Sequence, residues 1–325
     1  MDGTFVRSRV VDPKILRGLM QRSDLRGGLQ TASHFGAIGL TGTALWLTWG
    51  TWWAAPIFMA HGIVLNFLYG AQHELSHGTP FRTKWLNEWV GRLVAFLMIY
   101  PRDFDLIQHT AHHKWTQDWS RDGELAREPY TLRSYLMWFF GPSYWYSRIS
   151  RIFRLARGRV IEPYIRPDQE ALVIREARIH LALYAAIAAI SVLAQSWAAV
   201  ILWFAPLILM KWVHQLQNTI EHLGLSHDDN ILENTRSTRT NGFMRWMCWQ
   251  MQYHTAHHAF PSVPFHRLKD LNREMTEGAG APPHSMGYIQ FQVEVIRKLW
   301  GGKTEADYPH DEVWIAASGE RVPLD

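Results

Sequence analysis

The residues best placed to do chemistry are eight histidines in three short boxes. His73-Glu-Leu-Ser-His77 sets two imidazoles at i and i+4, and His109-Thr-Ala-His112-His113 sets three at i, i+3 and i+4. His254-Thr-Ala-His257-His258 repeats the second box verbatim. On a helix such spacings place side chains along one face. A single pair of this kind is most often structural or simply solvated, but three boxes in one chain point to metal. Neutral imidazole is the commonest metal ligand, and eight exceed what one ion accepts in its usual geometries, so two ions are implied. Imidazole suits zinc, copper, iron and nickel, whereas magnesium and calcium demand oxygen. The sole cysteine, Cys248, rules out an intrachain disulfide and any Cys-rich zinc or iron–sulfur site. His73-Glu74-x-x-His77 also reads as the H-E-x-x-H motif of a zinc hydrolase with Glu74 as general base. That site needs only one more ligand and leaves most of the box histidines idle. A metal-binding membrane protein without activity is the remaining reading that the boxes allow.

These boxes need elements to carry them, and the 325 residues supply apolar ones. Gly27 to His73 contains no Asp, Glu, Lys or Arg, enough helix for roughly 70 Å at about 1.5 Å per residue. A bilayer core is about 30 Å thick, so this run predicts a hairpin, roughly 33–53 and 56–74, turning at Trp46, Trp49, Trp52, Trp53 and Pro56. Ile179 to Ile220, with Lys211 its only full charge, predicts a second hairpin turning near Gln195–Trp197. The 17 tryptophans suit interfacial belts. Lys and Arg collect before the first hairpin (Arg7, Arg9, Lys14, Arg17, Arg22, Arg26) and number 16 between residues 78 and 178, while both turns have none. By the positive-inside rule both termini and the middle segment are expected to be cytoplasmic. Residues 1–26 lack the apolar stretch of a signal peptide. Leu93–Tyr100 and the segment 130–157 are expected as interfacial helices. In the latter, Arg148, Arg151, Arg154 and Arg157 are expected to face lipid headgroups, or an acidic redox partner. The charged fraction of 19% and mean hydropathy of -0.17 require a large polar part beside the spans. The pI near 9.2 comes with no nucleic-acid recognition motif. There is also no Gly-rich phosphate loop.

With its boxes split by apolar hairpins, the chain resembles the membrane fatty acid desaturase superfamily, which also holds lipid and alkane hydroxylases. The likeness runs from about Ser33 to Leu271 and is carried by three stretches: His73-Glu-Leu-Ser-His-Gly-Thr-Pro-Phe81, Ala111-His-His-Lys-Trp-Thr-Gln-Asp118 and Tyr253-His-Thr-Ala-His-His-Ala-Phe-Pro-Ser-Val-Pro264. The resemblance implies an all-α integral membrane fold: four transmembrane helices in two hairpins under a helical cytoplasmic cap that holds a di-metal site. It implies two iron ions, dioxygen as cosubstrate, and removal of hydrogen from an unactivated C–H bond of a lipid or acyl substrate. Desaturation is the expected outcome and hydroxylation the alternative. The implied iron ligands are His73, His77, His109, His112, His113, His254, His257 and His258.

A ninth ligand, His222, is implied after the fourth span, with Asn218 holding a water on one iron and His214 behind them on the same face. Glu74, Asp105 and Glu221 are candidates to orient imidazoles, since a ligating histidine usually donates its other N–H to an acceptor. His61, inside the second span, is expected as an interhelical hydrogen bonder or substrate-tunnel group. His34, His180, His266, His284 and His310 are expected to be structural or solvated, and His227 competes with His222 for the ninth place, although Asp228 and Asp229 beside it suggest a loop. No His-Pro-Gly-Gly haem signature occurs, so electrons are expected from a separate donor of ferredoxin, rubredoxin or cytochrome b5 type with its reductase. The expected organisation is a cytoplasmic segment 1–32, a desaturase-like domain 33–271 and a cytoplasmic tail 272–325.

Overall fold

A computed structural model describes residues 10–227, 230–279 and 284–308. Arg7, Arg9, Asp228, Asp229, His310 and, of the tail expected at 272–325, residues 280–283 and 309–325 lie outside the described residues. Helix dominates. Among the described residues the strands are two dipeptides, Ser237–Thr238 and Ser285–Met286, paired in parallel.

Two long helical pairs form the apolar half. The first helix, Asp24–Thr48, starts at Ser23, whose hydroxyl accepts from Arg26 N at 3.2 Å, an ordinary N-cap. It therefore begins about nine residues before the expected start. Its partner runs through Ala54–Asn66 and Leu68–Ser76, with Trp52 stacked on Trp53 at the turn between them. The third, Pro167–Leu193, is followed by a fourth that opens with a π-helical turn at Val200–Phe204 and continues through Ala205–Leu209 and Lys211–His222. Three of these segments are long and apolar enough to cross a membrane: Ala54–Ser76, Pro167–Leu193 and Val200–His222. The first helix carries Gln30, Thr31, Ser33, His34, Thr41 and Thr43 and does not reach that apolarity.

Buried polar side chains fix how the long helices sit. His61 spans two neighbours, with Nδ1 2.8 Å from Thr41 Oγ1 and Nε2 2.8 Å from Leu202 O. His34 Nε2 reaches Val64 O at 2.9 Å. Gly62 lets the second and fourth segments touch, because a Cβ there would fall 2.9 Å from Pro206 O and closer still to Met210. The outer faces stay apolar: Leu193 is 85% and Trp197 71% exposed.

The remaining helices sit beyond the boxes. In Lys84–Leu97, Trp85, Trp89 and Leu93 are exposed along one face while Asn87, Gly91 and Val94 are buried, the pattern of a helix lying at an interface. Leu132–Phe139 and Pro142–Ala156 follow. Three of the four arginines expected to meet lipid headgroups or an acidic partner are turned inward instead. In Pro142–Ala156 the exposed face is Tyr146, Ile149 and Phe153, whereas Arg148, Arg151 and Arg154 turn toward the protein. Arg148 lies over the rings of Tyr100 and Tyr144, Arg151 over Phe104, and Arg154 pairs with Glu162. Their three-residue spacing does make one face, and that face meets aromatic rings and a carboxylate. Arg157, the last of the series, is exposed.

Residues 268–279 and 284–308 pack into the same body. Leu268–Ala279 crosses the expected domain boundary. Tyr288–Leu299 buries Phe291, Val295 and Leu299 with Ile220 and Tyr135.

Candidate metal centre

Each box lies on a helix end that the long segments deliver to one place. His73 closes the second long segment, with His77 its cap residue, and His222 ends the fourth. The second box occupies the last two turns of Arg102–Trp115, and the third forms His254–Ala259. All nine expected ligands come together, in two groups.

In the first group, ligand nitrogens of His73, His77, His109, His113 and His257 all lie within 4.8 Å of one another. Their Nε2 atoms meet pairwise: His73 to His257 at 2.8 Å, His77 to His109 at 2.8 Å, His109 to His113 at 3.0 Å, His113 to His257 at 3.2 Å. The second group holds His112, His222 and His258 within the same limit, and His254 Nε2 lies 2.8 Å from His222 Nε2.

Such contacts fit a metal better than they fit each other. Two neutral imidazoles facing through nitrogen can share at most one proton, and five cannot all be satisfied this way. Nitrogens sharing an ion at about 2 Å lie roughly 3 Å apart, close to the spacing seen. His258 Nε2 is a buried atom without a hydrogen-bond partner, which costs free energy unless something binds there.

Several of the opposite ring nitrogens are held from outside, whereas those of His113, His254 and His257 have no hydrogen-bond partner among the described residues. His109 Nδ1 lies 2.9 Å from Glu124 Oε1, and His112 Nδ1 is 2.9 and 3.1 Å from the two Asp122 oxygens. His222 Nδ1 faces Asn234 O and His258 Nδ1 faces Thr116 Oγ1, each at 3.2 Å. His257 Nδ1 lies 3.5 Å from Glu74 Oε1, and His254 Nδ1 3.3 Å from Glu221 Oε1. Glu74 is itself fixed through its other oxygen by Thr79 Oγ1 and Phe265 N, both at 3.0 Å. Of the three expected orienting carboxylates, Glu74 and Glu221 face box histidines. Asp105 is buried and lines a small polar cavity with His109, but among the described residues the carboxylates nearest the second-box rings are Glu124 and Asp122. Sequence reasoning missed both. The available signal was the loop Asp118-Trp-Ser-Arg-Asp-Gly-Glu124 directly after the box. His214 stands back from both groups, stacked on Tyr69 at 4.0 Å and paired with Lys211. Asn218 lines the cavity described below.

Burial and neighbouring rings push His77, His113, His254 and His258 down from the ordinary imidazole range. They are thus neutral and have a lone pair to give. Burial also lowers His257, partly offset by Glu74. His112 goes the other way: burial opposes charge, but Asp122 and Glu124 outweigh it and lift the group to about 9. Glu124 is held below the usual carboxylate range because His112 and His109 outweigh its own burial. Burial lifts Asp105 to about 6.

A cavity of about 440 Å³ opens onto the centre, with His73, His112, His222 and His254 in its wall. Trp119, Tyr130, Trp138 and Arg148 line its outer part, and Glu305, Ala306 and Tyr308 close one side. Glu305 is tied to Arg127 (Nη2 to Oε1, 2.9 Å) and accepts from Tyr130 N at 2.6 Å.

The family model "Fatty acid desaturase" matches residues 47–292, a stretch that contains all three boxes, His222, Asp122 and Glu124. The chain belongs to the fatty acid desaturase family. Similar proteins include the sn-1 oleoyl-lipid 12-desaturase of Arthrospira platensis, 24% identical over 243 residues that cover 67% of each chain. The sn-1 acyl-lipid omega-3 desaturase (ferredoxin) of Synechocystis sp. is 25% identical over 240 residues, 67% of this chain and 66% of that one. A second sn-1 oleoyl-lipid 12-desaturase, from Picosynechococcus sp., is 22% identical over 284 residues, 78% and 76% of the two chains. Family and relatives together support a lipid desaturase, an oxidoreductase of the membrane.

Proposed function

We propose that this chain is an integral membrane acyl-lipid desaturase that holds two iron ions with His73, His77, His109, His113 and His257 on one side and His112, His222, His254 and His258 on the other. The observation that carries the reading is the convergence of nine imidazoles from four helices, beside a cavity large enough for part of an acyl chain. When bound, the irons supply activation of dioxygen by two external electrons and removal of hydrogen from a C–H bond. The chain's own part is positional. Asp122, Glu124, Glu74 and Glu221 orient rings so that each offers a lone pair inward. Asn218, one turn before His222, is placed to hold a water beside the second ion. Trp119, Tyr130 and Trp138 give the cavity apolar wall against which a lipid segment packs and from which water is excluded.

The proposed topology has four crossings, with Asp24–Thr48 as the first, and the termini and metal centre on the cytoplasmic side; the placement of Lys and Arg supports it. The catalytic domain spans 33–271, with residues 284–308 adding one wall of the cavity. The proposed donor is a separate ferredoxin, in keeping with the name of the Synechocystis relative.

The test is a lipid analysis of cells expressing the native protein under isotopically labelled dioxygen. Desaturation predicts new C=C bonds in membrane lipids with no label in the product. Label retained as a hydroxyl would replace this reading with hydroxylation. Purified protein should carry two irons per chain, and one zinc would overturn the centre itself.

A further inference from the structure

Tyr69 sits one helical turn before His73 and plays no part in the ligand set proposed above. Its ring stacks on His214. The hydroxyl donates to Glu221 Oε2 at 3.1 Å and lies 3.3 Å from His73 Nδ1. Because the phenol proton goes to Glu221, the phenol oxygen is left to accept from His73 Nδ1–H. That assigns the His73 tautomer and leaves Nε2 as a lone pair pointing at His257, inside the first group. Glu221 holds Tyr69 with one oxygen. Its other oxygen accepts from Gln217 Nε2 at 2.7 Å and faces His254 Nδ1 at 3.3 Å, and His254 Nε2 points at His222 in the second group.

Every other orienting side chain found at the centre bonds or faces ligand rings of one group only. Glu124 bonds His109 and Glu74 faces His257, both in the first; Asp122 bonds His112 and Thr116 meets His258, both in the second. Tyr69 alone among these touches a ligand of the first group and an outer partner of the second.

We propose that Tyr69 is a positioning residue that couples the two metal sites: through one hydroxyl it sets the His73 tautomer and, through Glu221, the orientation of His254. The inference rests on the two-iron reading above. A phenol that bonds one ligand ring and also the carboxylate facing another makes the donor strength of both sites depend on the same set of contacts.

The test is Tyr69→Phe, which keeps the ring and its stacking and removes the hydroxyl. Metal content, chelator competition and Mössbauer spectra of iron-loaded protein are compared with the native protein and with Thr116→Val, whose hydroxyl serves the second group only. The expected result is that Tyr69→Phe weakens both ions, by about 10- to 100-fold as for other outer partners, and shifts the spectral signature of both sites. Thr116→Val should shift one. Glu221→Leu, which removes both the acceptor of the phenol proton and the oxygen facing His254, should also shift both, and it serves if Tyr69→Phe folds poorly. If the native protein holds two irons and Tyr69→Phe moves one signature or neither, the coupling role is overturned while the metal centre stands. If the native protein does not hold two ions, the reading beneath it falls first.

Discussion

The two histidine groups use the same pentapeptide in opposite senses. From His109-Thr-Ala-His-His113, the outer pair His109 and His113 goes to the first group and the middle ring, His112, to the second. From His254-Thr-Ala-His-His258 the outer pair goes to the second group and the middle ring, His257, to the first. Residues at i and i+4 share a helix face and i+3 lies to its side, so each box can serve two ions, and two boxes facing each other exchange roles. The remaining ligand positions break this near-symmetry. His73 and His77 complete the first group from one helix end, and His222 completes the second from another. The surroundings differ as well. His77 and His113 are only partly buried, while every ring of the second group is enclosed. The second group's His112 rests on Asp122, which is itself fully buried and accepts from the backbone N–H groups of Gln117, Glu124 and Leu125 at 3.1, 2.9 and 3.1 Å.

The strongest way to break this comparison is to substitute neighbours that belong to different groups. His257→Ala and His258→Ala should each reduce turnover to background and lower iron from two to about one per chain, because each removes a ligand the rest cannot replace. The missing signature should differ: the first-group site for His257→Ala, the second for His258→Ala. Loss of the same site in both, by Mössbauer spectroscopy, would undo the division into groups. Asp122→Asn comes next, with metal affinity of the second site falling about 10- to 100-fold. Glu124→Gln should affect the first site less, since its carboxylate is 27% exposed and solvent compensates part of the loss.

How far this centre was legible depended on what kind of contact made it. The box histidines were visible because i, i+3 and i+4 spacing is a property of one helix. His222 came from the resemblance and its position after the last apolar run. Asp122 and Glu124 escaped because their partners lie 10 and 15 residues back, across a loop whose course no periodicity fixes. Asp105 lies one turn before His109 in sequence, yet it lines the small cavity beside the rings. The long apolar runs gave the helical pairs, but not their ends: Asp24 starts the first helix because Ser23 caps it, a local signal that outweighs the hydropathy boundary. Arg148 and Arg151 are expected to meet lipid headgroups or an acidic partner, but helix periodicity says only that they share a face. Which face is buried was decided by Tyr100, Phe104 and Glu162, residues distant in sequence.

Proton release should separate the groups more finely. His112, lifted to about 9, holds a proton at pH 8 that an ion at its Nε2 must displace. The lowered His77, His113 and His257 hold none there. Ion binding to the second group should therefore weaken by about tenfold per pH unit as pH falls from about 9 to about 7, while binding to the first stays flat. The same raised value makes His112 stabilise the metal-free fold below its ordinary value of 6.5, a contribution lost as pH rises through about 9. Calorimetric titration in buffers of differing ionisation enthalpy counts the protons; equal release from both sites would contradict the assignment.

The smallest effect belongs to Thr116→Val. The Thr116 hydroxyl donates to His112 O at 2.8 Å and stands 3.2 Å from His258 Nδ1. It is a neutral partner, worth about 1 kcal/mol net, so the second site should lose only about fivefold in ion affinity. Asp122 beside it offers a charged acceptor held by three backbone donors. A Thr116→Val loss equal to that of Asp122→Asn, by chelator competition, would mean that the enclosure of the second group, rather than the charge beneath His112, sets its grip on the ion.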